Sequence, residues 1–155
     1  MPGERSIAFY VKGAPIPQGS LTAHATKRKD GTLFAAVHYP SGSKLHAWRR
    51  EISKAARAEW GDHMTYHPVR LQLIYWMKRP LSHYRTVEML LRPGYERLSH
   101  ETTPDLDKLV RATMDALTDV IYEDDKQVVE IVAHKLYVPR YTQSEGLQAN
   151  IHAVP

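Results

Sequence analysis

The stretch that most constrains the fold runs from residue 101 to residue 130, where the chain collects acidic side chains. It holds nine acidic residues against three basic ones, a net charge of −6 in a chain whose total is +4. Apolar residues recur here at helical spacing, which predicts an amphipathic helix with one face on a core. These apolar positions are Leu106, Leu109, Val110, Met114 and Leu117. The segment therefore predicts a helix that buries one face and presents carboxylates on another.

The residues around the start of this helix carry the first group of acids. Pro104 fits the start of a helix, and Asp105 fits its cap or first turn, where free N–H groups and the helix dipole favour a carboxylate. Asp107, Arg111 and Asp115 lie one helical turn apart and should form a polar column. The sequence thus predicts two carboxylates, Asp105 and Asp107, at one helix end.

A second acidic group follows the helix, which we expect to end near residues 118–120. Glu123-Asp124-Asp125 opens the next element, and residues 127–138 have the pattern of a strand. The two acidic groups can converge only if the chain folds back, which such a strand allows. Carboxylate oxygens without cysteine suit Mg²⁺ or Mn²⁺ better than Zn²⁺, and such ions usually serve phosphate chemistry. The alternative is a solvated acidic helix with capping aspartates, since an Asp-x-Asp at a helix start is ordinary by itself.

One other pair of residues has the spacing of metal ligands. His63 and His67 are four residues apart, but they lie in the connection between residues 61 and 68, where no helix is predicted. Helical zinc motifs place both histidines on one helix face. The spacing alone therefore does not favour a metal site over two histidines of a connecting loop.

The acidic stretch resembles the signature of a known family. Pro104-Asp-Leu-Asp-Lys-Leu-x-Arg-Ala-x-x-Asp-Ala-Leu-Thr118, followed by Tyr122-x-Asp-Asp-x-Gln-Val-Val-Glu130, is similar to the motif of the RusA family. These proteins are Holliday junction resolvases, or crossover junction endodeoxyribonucleases, of bacteria and their phages. The close match covers about residues 103–130.

The resemblance implies roles for particular residues. It places the metal-binding aspartates at Asp105, Asp107 and Asp125, with Asp124 as a further acid of the motif, and Mg²⁺ as the cofactor, with Mn²⁺ as a substitute. Arg111 stands where the family has a catalytic lysine. Lys108 stands where the family commonly has asparagine, and it is also a candidate DNA contact.

The N-terminal third is basic, in contrast to the acidic centre. Residues 5–50 hold eight lysines and arginines against Asp30 alone. Strands at 22–28 and 32–39 should form a hairpin around Lys29-Asp30-Gly31, and a helix should run from Lys44 to Trp60 with Ser41 or Ser43 as its cap. The candidate DNA-binding residues on these two elements are Lys27, Arg28, Lys29, Arg49, Arg50, Lys54 and Arg57. Basic surface attracts DNA nonspecifically. The alternatives are a solubilising loop for the hairpin and a solvated face for the helix.

The remaining elements complete an α+β prediction: a single RusA-like domain over residues 1–155, with a mixed β-sheet and two main helices packed on it. Strands are predicted at 6–12, 68–78, 127–138 and 147–154. For the strand at 127–138 we expect one side to hold Val128, Val132, Leu136 and Val138. The apolar side of the basic helix should hold Leu45, Trp48, Ile52, Ala55, Ala56 and Glu59. Residues 80–100 have no clean periodicity and suggest a loop beside the site, with Tyr84 and Tyr95 either stacking on bases or packing under it.

These features predict a Mg²⁺- or Mn²⁺-dependent endonuclease; the four-way junction as substrate, paired symmetric nicks and a homodimer are implied by the resemblance. A non-catalytic DNA-binding module and a generic flap or branch nuclease remain as alternatives. We expect no membrane partner, since no run is long and apolar enough, and a cytoplasmic location, with which the absence of cysteine is compatible. Phage or prophage origin follows only from the habit of the family.

Overall fold

The computed structural model of the protein describes residues 4–19, 22–38, 42–86 and 89–155. Its main elements are β1 (Arg5–Lys12), β2 (Thr22–Lys27), β3 (Leu33–His38), α1 (Gly42–Trp60), β4 (Val69–Met77), α2 (Leu106–Leu117), β5 (Val128–Tyr137) and β6 (Gly146–Ala153). Short 3-10 turns lie at Leu81–His83 and Asp125–Gln127. The order of elements and the α+β class predicted from the sequence are confirmed.

A mixed four-stranded sheet forms one layer of the fold. Its strand order is β1-β6-β4-β5, with β4 and β5 parallel and the other pairs antiparallel. Alternate residues of β4 and β6 are buried, as their sequence alternation predicts. The β2–β3 hairpin forms a separate two-stranded sheet, and its turn lies at the predicted Lys29-Asp30-Gly31. Tyr39, the expected end of its second strand, lies outside the described residues.

The two helices bury their apolar faces in the same core as the sheet. The buried residues of α1 are Leu45, Trp48, Ile52, Ala56 and Trp60. Trp60 completes this face, whereas Glu59 is exposed, because Trp60 lies one turn beyond Ala56. Ser43 lies inside α1, so its predicted role as the cap is wrong, and Ser41 lies outside the described residues.

Strand β5 departs from the predicted alternation because it contains one extra residue near its start. Val69 pairs with Val128, but the next residue of β4, Arg70, pairs with Glu130. An inserted residue moves every later side chain to the other face of a sheet. Val132 is consequently 42% exposed and does not share the core-facing side with Val128. The prediction that Val128, Val132 and Leu136 lie on one side is therefore wrong.

Helix α2 runs antiparallel to β5, which fixes the positions of the acidic residues. At the start of α2, the Lys135 ammonium from the far end of β5 donates to the Pro104 carbonyl at 2.6 Å. At the other end, the Tyr122 hydroxyl, shortly before β5, donates to the Met114 carbonyl at 3.1 Å. The start of α2 therefore lies beside the end of β5, and the end of α2 lies beside the start of β5.

The described part of the segment between β4 and α2 is tied to the sheet rather than detached from it. Arg79 is buried and donates to the carbonyls of Tyr95, Arg97 and Val138. The backbone of residues 98–100 bonds to the end of β5, with Tyr137 N–H donating to the Leu98 carbonyl at 2.5 Å. Within the described ranges, we find no helix with the length and apolar character needed to cross a membrane.

Candidate active site

Asp105 is the first acidic residue of the site and occupies the N-cap position of α2. Its side chain makes no capping hydrogen bond, and Pro104 precedes the cap rather than starting the helix, after a cis Thr103–Pro104 peptide bond. The Asp105 carboxylate instead lies 2.9 Å from the Lys108 ammonium one turn later. This contact lowers the pKa of Asp105 and raises the pKa of Lys108. Asp105 is therefore an exposed, ionised carboxylate beside a cation.

The predicted polar column on α2 is exposed, as expected. Asp107 lies in the first turn of the helix, and its charge also raises the pKa of Lys108, whereas that of Arg111 lowers it. Asp115, at the other end of the column, forms an ion pair of 2.6 Å with Arg49 of α1. The start of α2 thus carries two carboxylates and two cations on one exposed surface.

The second acidic pair lies in the 3-10 turn before β5. The Asp124 carboxylate accepts from the Lys126 N–H at 2.9 Å, which lowers the pKa of Asp124, and the Gln127 amide closes a capping box with it. The Gln127 side chain also donates to the Thr65 carbonyl at 2.9 Å, which anchors the turn. Asp125 is exposed and raises the pKa of the Tyr122 phenol, an effect that adds to the larger one of burial.

The structure does not bring these two acidic pairs together within one chain. Asp105 and Asp107 lie at the start of α2, and Asp124 and Asp125 lie near its end. The helix has 12 residues, which at about 1.5 Å per residue separates its ends by roughly 18 Å. Among the described residues, no three histidine, aspartate or glutamate side chains are close enough to hold one metal ion. Each pair alone supplies hard carboxylate oxygens, and Mg²⁺ is often held by only one or two carboxylates plus substrate phosphate.

Lys135 is a residue of this site that the sequence did not single out. Its ammonium donates to the carbonyls of Thr102 and Pro104, at 2.5 and 2.6 Å, and its charge also lowers the pKa of Asp105. The extra residue in β5 turns Lys135 towards the face that the helices cover. An unbroken alternation from Val128 places it on the opposite face, so the sequence pattern gave no signal for it.

The basic residues predicted to contact DNA fall into two groups. Lys27, Arg28 and Lys29 are exposed at the hairpin turn, with the Arg28 guanidinium 4.9 Å from the centre of the Phe34 ring. The exposed bases of α1 are Arg50, Lys54 and Arg57.

Arg49 differs from the other bases of α1. It is bonded to Asp115 and Gln18, and only 19% of its side chain is exposed. Arg49 joins α1 to α2 and to the loop after β1. It therefore has a role within the fold and does not lie on the open basic face that the sequence predicts.

The remaining candidates are placed as follows. His63 accepts a hydrogen bond from the Trp60 indole through its backbone carbonyl, at 3.0 Å. Neither His63 nor His67 belongs to a metal-binding group among the described residues. Tyr84 is 4% exposed and packs edge-on against Tyr141, which favours packing over base stacking. Tyr95 is 40% exposed, with its ring 4.3 Å from that of His83.

The chain is similar in sequence to known proteins. Residues 15–146 match the family described as "Endodeoxyribonuclease RusA". The chain is also 26% identical over 132 residues to the "Uncharacterized protein YqaN" of Bacillus subtilis (strain 168), a match that covers 84% of this chain and 87% of that protein. The family match spans most of the chain and includes both acidic pairs. The protein therefore belongs to the RusA endodeoxyribonuclease family.

Proposed function

We propose that the protein is a metal-dependent endodeoxyribonuclease that resolves Holliday junctions and related branched DNA by paired symmetric nicks. The observation that carries the proposal is the exposed surface at the start of α2, where Asp105, Asp107, Lys108 and Arg111 lie together. Phosphodiester hydrolysis commonly uses carboxylates that bind a divalent ion and nearby cations that bind the phosphate. Family membership supports DNA as the substrate.

The proposed metal ligands are Asp105 and Asp107 from one acidic pair and Asp125 and Asp124 from the other. Mg²⁺, or Mn²⁺ in its place, would supply an activated water and neutralise charge on the phosphate. The low pKa of Asp105 keeps its carboxylate ionised and ready to bind a cation. Lys108 occupies part of this carboxylate, so a bound metal would take over that contact and leave the ammonium available to a DNA phosphate.

Arg111 is proposed to stabilise negative charge that develops on the scissile phosphate. Its guanidinium remains protonated throughout the physiological pH range, so it contributes charge and a planar set of donors rather than a proton. It lies one turn beyond Asp107 on the exposed surface of α2, which suits a contact with a phosphate beside the proposed metal ligands.

The separation of the two acidic pairs supports a homodimer with composite sites. A two-fold axis can place the Asp105–Asp107 pair of one chain beside the Asp124–Asp125 pair of its partner, and it repeats the arrangement at a second position. Two equivalent sites related by symmetry suit two symmetric nicks. In this proposal neither chain has a complete metal site alone.

The edge of β5 is free near the start of the strand, whereas residues 98–100 bond to its end, and this free part supports a location for the two-fold axis. β5 is the last strand of the sheet, and Val129, Ile131 and Val132 are 61%, 40% and 42% exposed near its start. Unpaired, apolar edge strands are ready to pair with a second copy. Antiparallel pairing of the free first halves of two β5 strands would bring the start of one, with its Asp125, towards the end of the other, where Lys135 and Asp105 lie.

The basic surfaces are proposed to hold the arms of the junction. Lys27, Arg28 and Lys29 on the hairpin, and Arg50, Lys54 and Arg57 on α1, are exposed and suit contacts with phosphates. Phosphate contacts read the shape of DNA rather than its sequence. We include Lys108 with them, since it joins the basic surface to the acidic site.

Cleavage of a labelled mobile four-way junction tests the proposal. Paired nicks at symmetric positions should form with Mg²⁺ or Mn²⁺, and should be lost with EDTA and with Asp107→Asn. Asp62→Asn, which changes an exposed acid after α1, is the matched control and should cut normally. Cutting of a flap as fast as the four-way junction would favour a generic flap or branch nuclease. Junction binding without cutting in either metal would leave only a binding module.

Mixing two inactive variants tests the composite site. In a heterodimer of Asp107→Asn and Asp125→Asn chains, one composite site carries both changes and the other carries neither. Co-expression of the two variants should therefore restore cutting, with nicked junctions in place of resolved ones. If all four acids acted within one chain, both sites of the heterodimer would be defective and no activity would return.

A further inference from the structure

A cleft beside Asp105 has no role in the mechanism described so far. Its volume is about 440 Å³, and its lining consists of Pro15, Pro17, Gly19, Thr103, Pro104, Asp105 and Lys108. Sites for small molecules commonly have volumes of roughly 300–1,000 Å³. Asp105 and Lys108 belong to both the cleft and the proposed metal site, so whatever occupies the cleft lies next to the scissile phosphate.

Hydrogen bonds hold the walls of the cleft in position from two sides. The loop that carries Pro15 and Pro17 is fixed to α2 because the Gln18 N–H donates to the Lys108 carbonyl at 3.0 Å. The Gln18 side chain is buried and accepts from Arg49. On the other side, Lys135 donates to the Pro104 carbonyl. Both walls are thus part of the fold, and the cleft exists before any ligand enters.

The chemistry of the lining favours a flat, apolar ring attached to an anion. Three prolines contribute rigid rings without backbone N–H donors. Proline rings and aromatic rings pack well against each other, as in the recognition of proline-rich segments. The charged groups, Asp105 and Lys108, belong to the α2 side of the lining. A ligand with a ring in the cleft and a phosphate at this charged side therefore fits both parts.

We propose that the cleft binds the nucleobase adjacent to the scissile phosphate after it has left the base stack of the junction. This inference rests on the proposed function, because it takes the phosphate position from Asp105. A base that leaves a duplex loses its stacking and its pairing, and both are easiest to break at the crossover, where the continuous helix is interrupted. The cleft then selects the base next to the cut, and it gives the enzyme a sequence preference that phosphate contacts cannot supply.

Junctions that carry 2-aminopurine at successive positions around the crossover provide the test. With Ca²⁺ in place of Mg²⁺, wild-type protein should raise the fluorescence at one position, because the base has left its stack. Pro17→Ala removes part of the apolar lining of the cleft and should reduce this rise. Pro93→Ala, at an exposed loop proline, is the matched control and should behave as wild type.

Cleavage rates give an independent readout. For junctions that differ only in the base next to the cut, discrimination is the ratio of the highest to the lowest cleavage rate. This ratio should be about threefold to tenfold smaller for Pro17→Ala than for the wild type, because the variant lacks an apolar contact with the base. Unchanged discrimination, or binding without a fluorescence rise at any position, overturns the inference. So does a change in oligomeric state with Pro17→Ala, which would make the cleft an interface between copies.

Failure of the proposed function has a different signature. A Pro17-dependent fluorescence rise without any cutting in Mg²⁺ or Mn²⁺ would support the cleft as a base site and reject the nuclease. Cutting without effects of Pro17→Ala on fluorescence and on discrimination would support the nuclease and reject the base site. Absence of DNA binding would reject both.

Discussion

Replacing Lys135 with methionine should loosen the backbone that leads into α2 while leaving the four acids unchanged. Lys135 donates to two carbonyls, those of Thr102 and Pro104, immediately before Asp105. A hydrogen bond from a charged donor contributes about 1.5–3 kcal/mol. Thr102 is exposed, so water can replace that bond. We therefore expect the free energy of unfolding to fall by about 1–2 kcal/mol, with methionine keeping the apolar packing of the stem.

The same change should weaken metal binding, because the Asp105 carboxylate loses its support. Changes to residues that orient metal ligands typically reduce affinity or activity by about 10- to 100-fold. We expect the Mg²⁺ concentration for half-maximal junction cleavage to rise by at least about tenfold, which corresponds to about 1.4 kcal/mol. Lys12→Met, at an exposed lysine that ends β1, is the matched control and should change neither quantity.

Urea denaturation followed by tryptophan fluorescence measures the stability, and Mg²⁺ titration of cleavage measures the site. An unchanged slope of the unfolding free energy against urea would confirm that both proteins unfold from the same compact state. If the Lys135→Met protein lost stability but required no more Mg²⁺, Lys135 would support the fold without positioning Asp105. If neither quantity changed, the two hydrogen bonds would contribute nothing measurable and the argument would be refuted.

Three further changes test the packing and the edge of the sheet. Thr113→Val should lower the free energy of unfolding by about 1–3 kcal/mol, which is more than the loss expected for Tyr75→Phe. The Tyr75 hydroxyl lies 2.7 Å from the Thr113 hydroxyl, and only the valine variant leaves a buried phenol without a partner. Equal urea midpoints for the two variants would contradict this. Gly146→Ala places a Cβ 2.4 Å from a β1 carbonyl oxygen and should cost about 2 kcal/mol or more, whereas Gly42→Ala, with open space around it, should not lower the melting temperature. Burial, and then a nearby lysine, lower the pKa of His100. The unfolded state therefore binds more protons below about pH 6.5, and His100→Gln should reduce the loss of melting temperature between about pH 7.5 and 5.5; an identical loss in both proteins would reject this.

The elements with strong local patterns could be predicted from the sequence. The alternation in β4 and β6, the apolar face of α2 and its end after Leu117 agree with the structure, because each pattern depends on burial of one face. Contacts between distant segments were not accessible in this way. Arg49 shares its charge and its helix with Arg50, and only the approach of Asp115, far along the chain, separates their roles.

One inserted residue in β5 accounts for much of what the sequence did not reveal about the candidate site. No glycine or proline marks the irregularity near Val129, so an unbroken alternation was the simplest interpretation. The insertion turns Lys135 to the face covered by the helices, where it fastens the backbone before Asp105. The local sequence pattern also does not show that β4 and β5 pair in parallel. This pairing makes β5 antiparallel to α2, and it places Asp125 at the end of α2 opposite to Asp105. The motif identifies the acids because their chemistry is local. Their distribution between two ends of α2 depends on strand pairing, and from that distribution follows the proposal that a second copy completes each site.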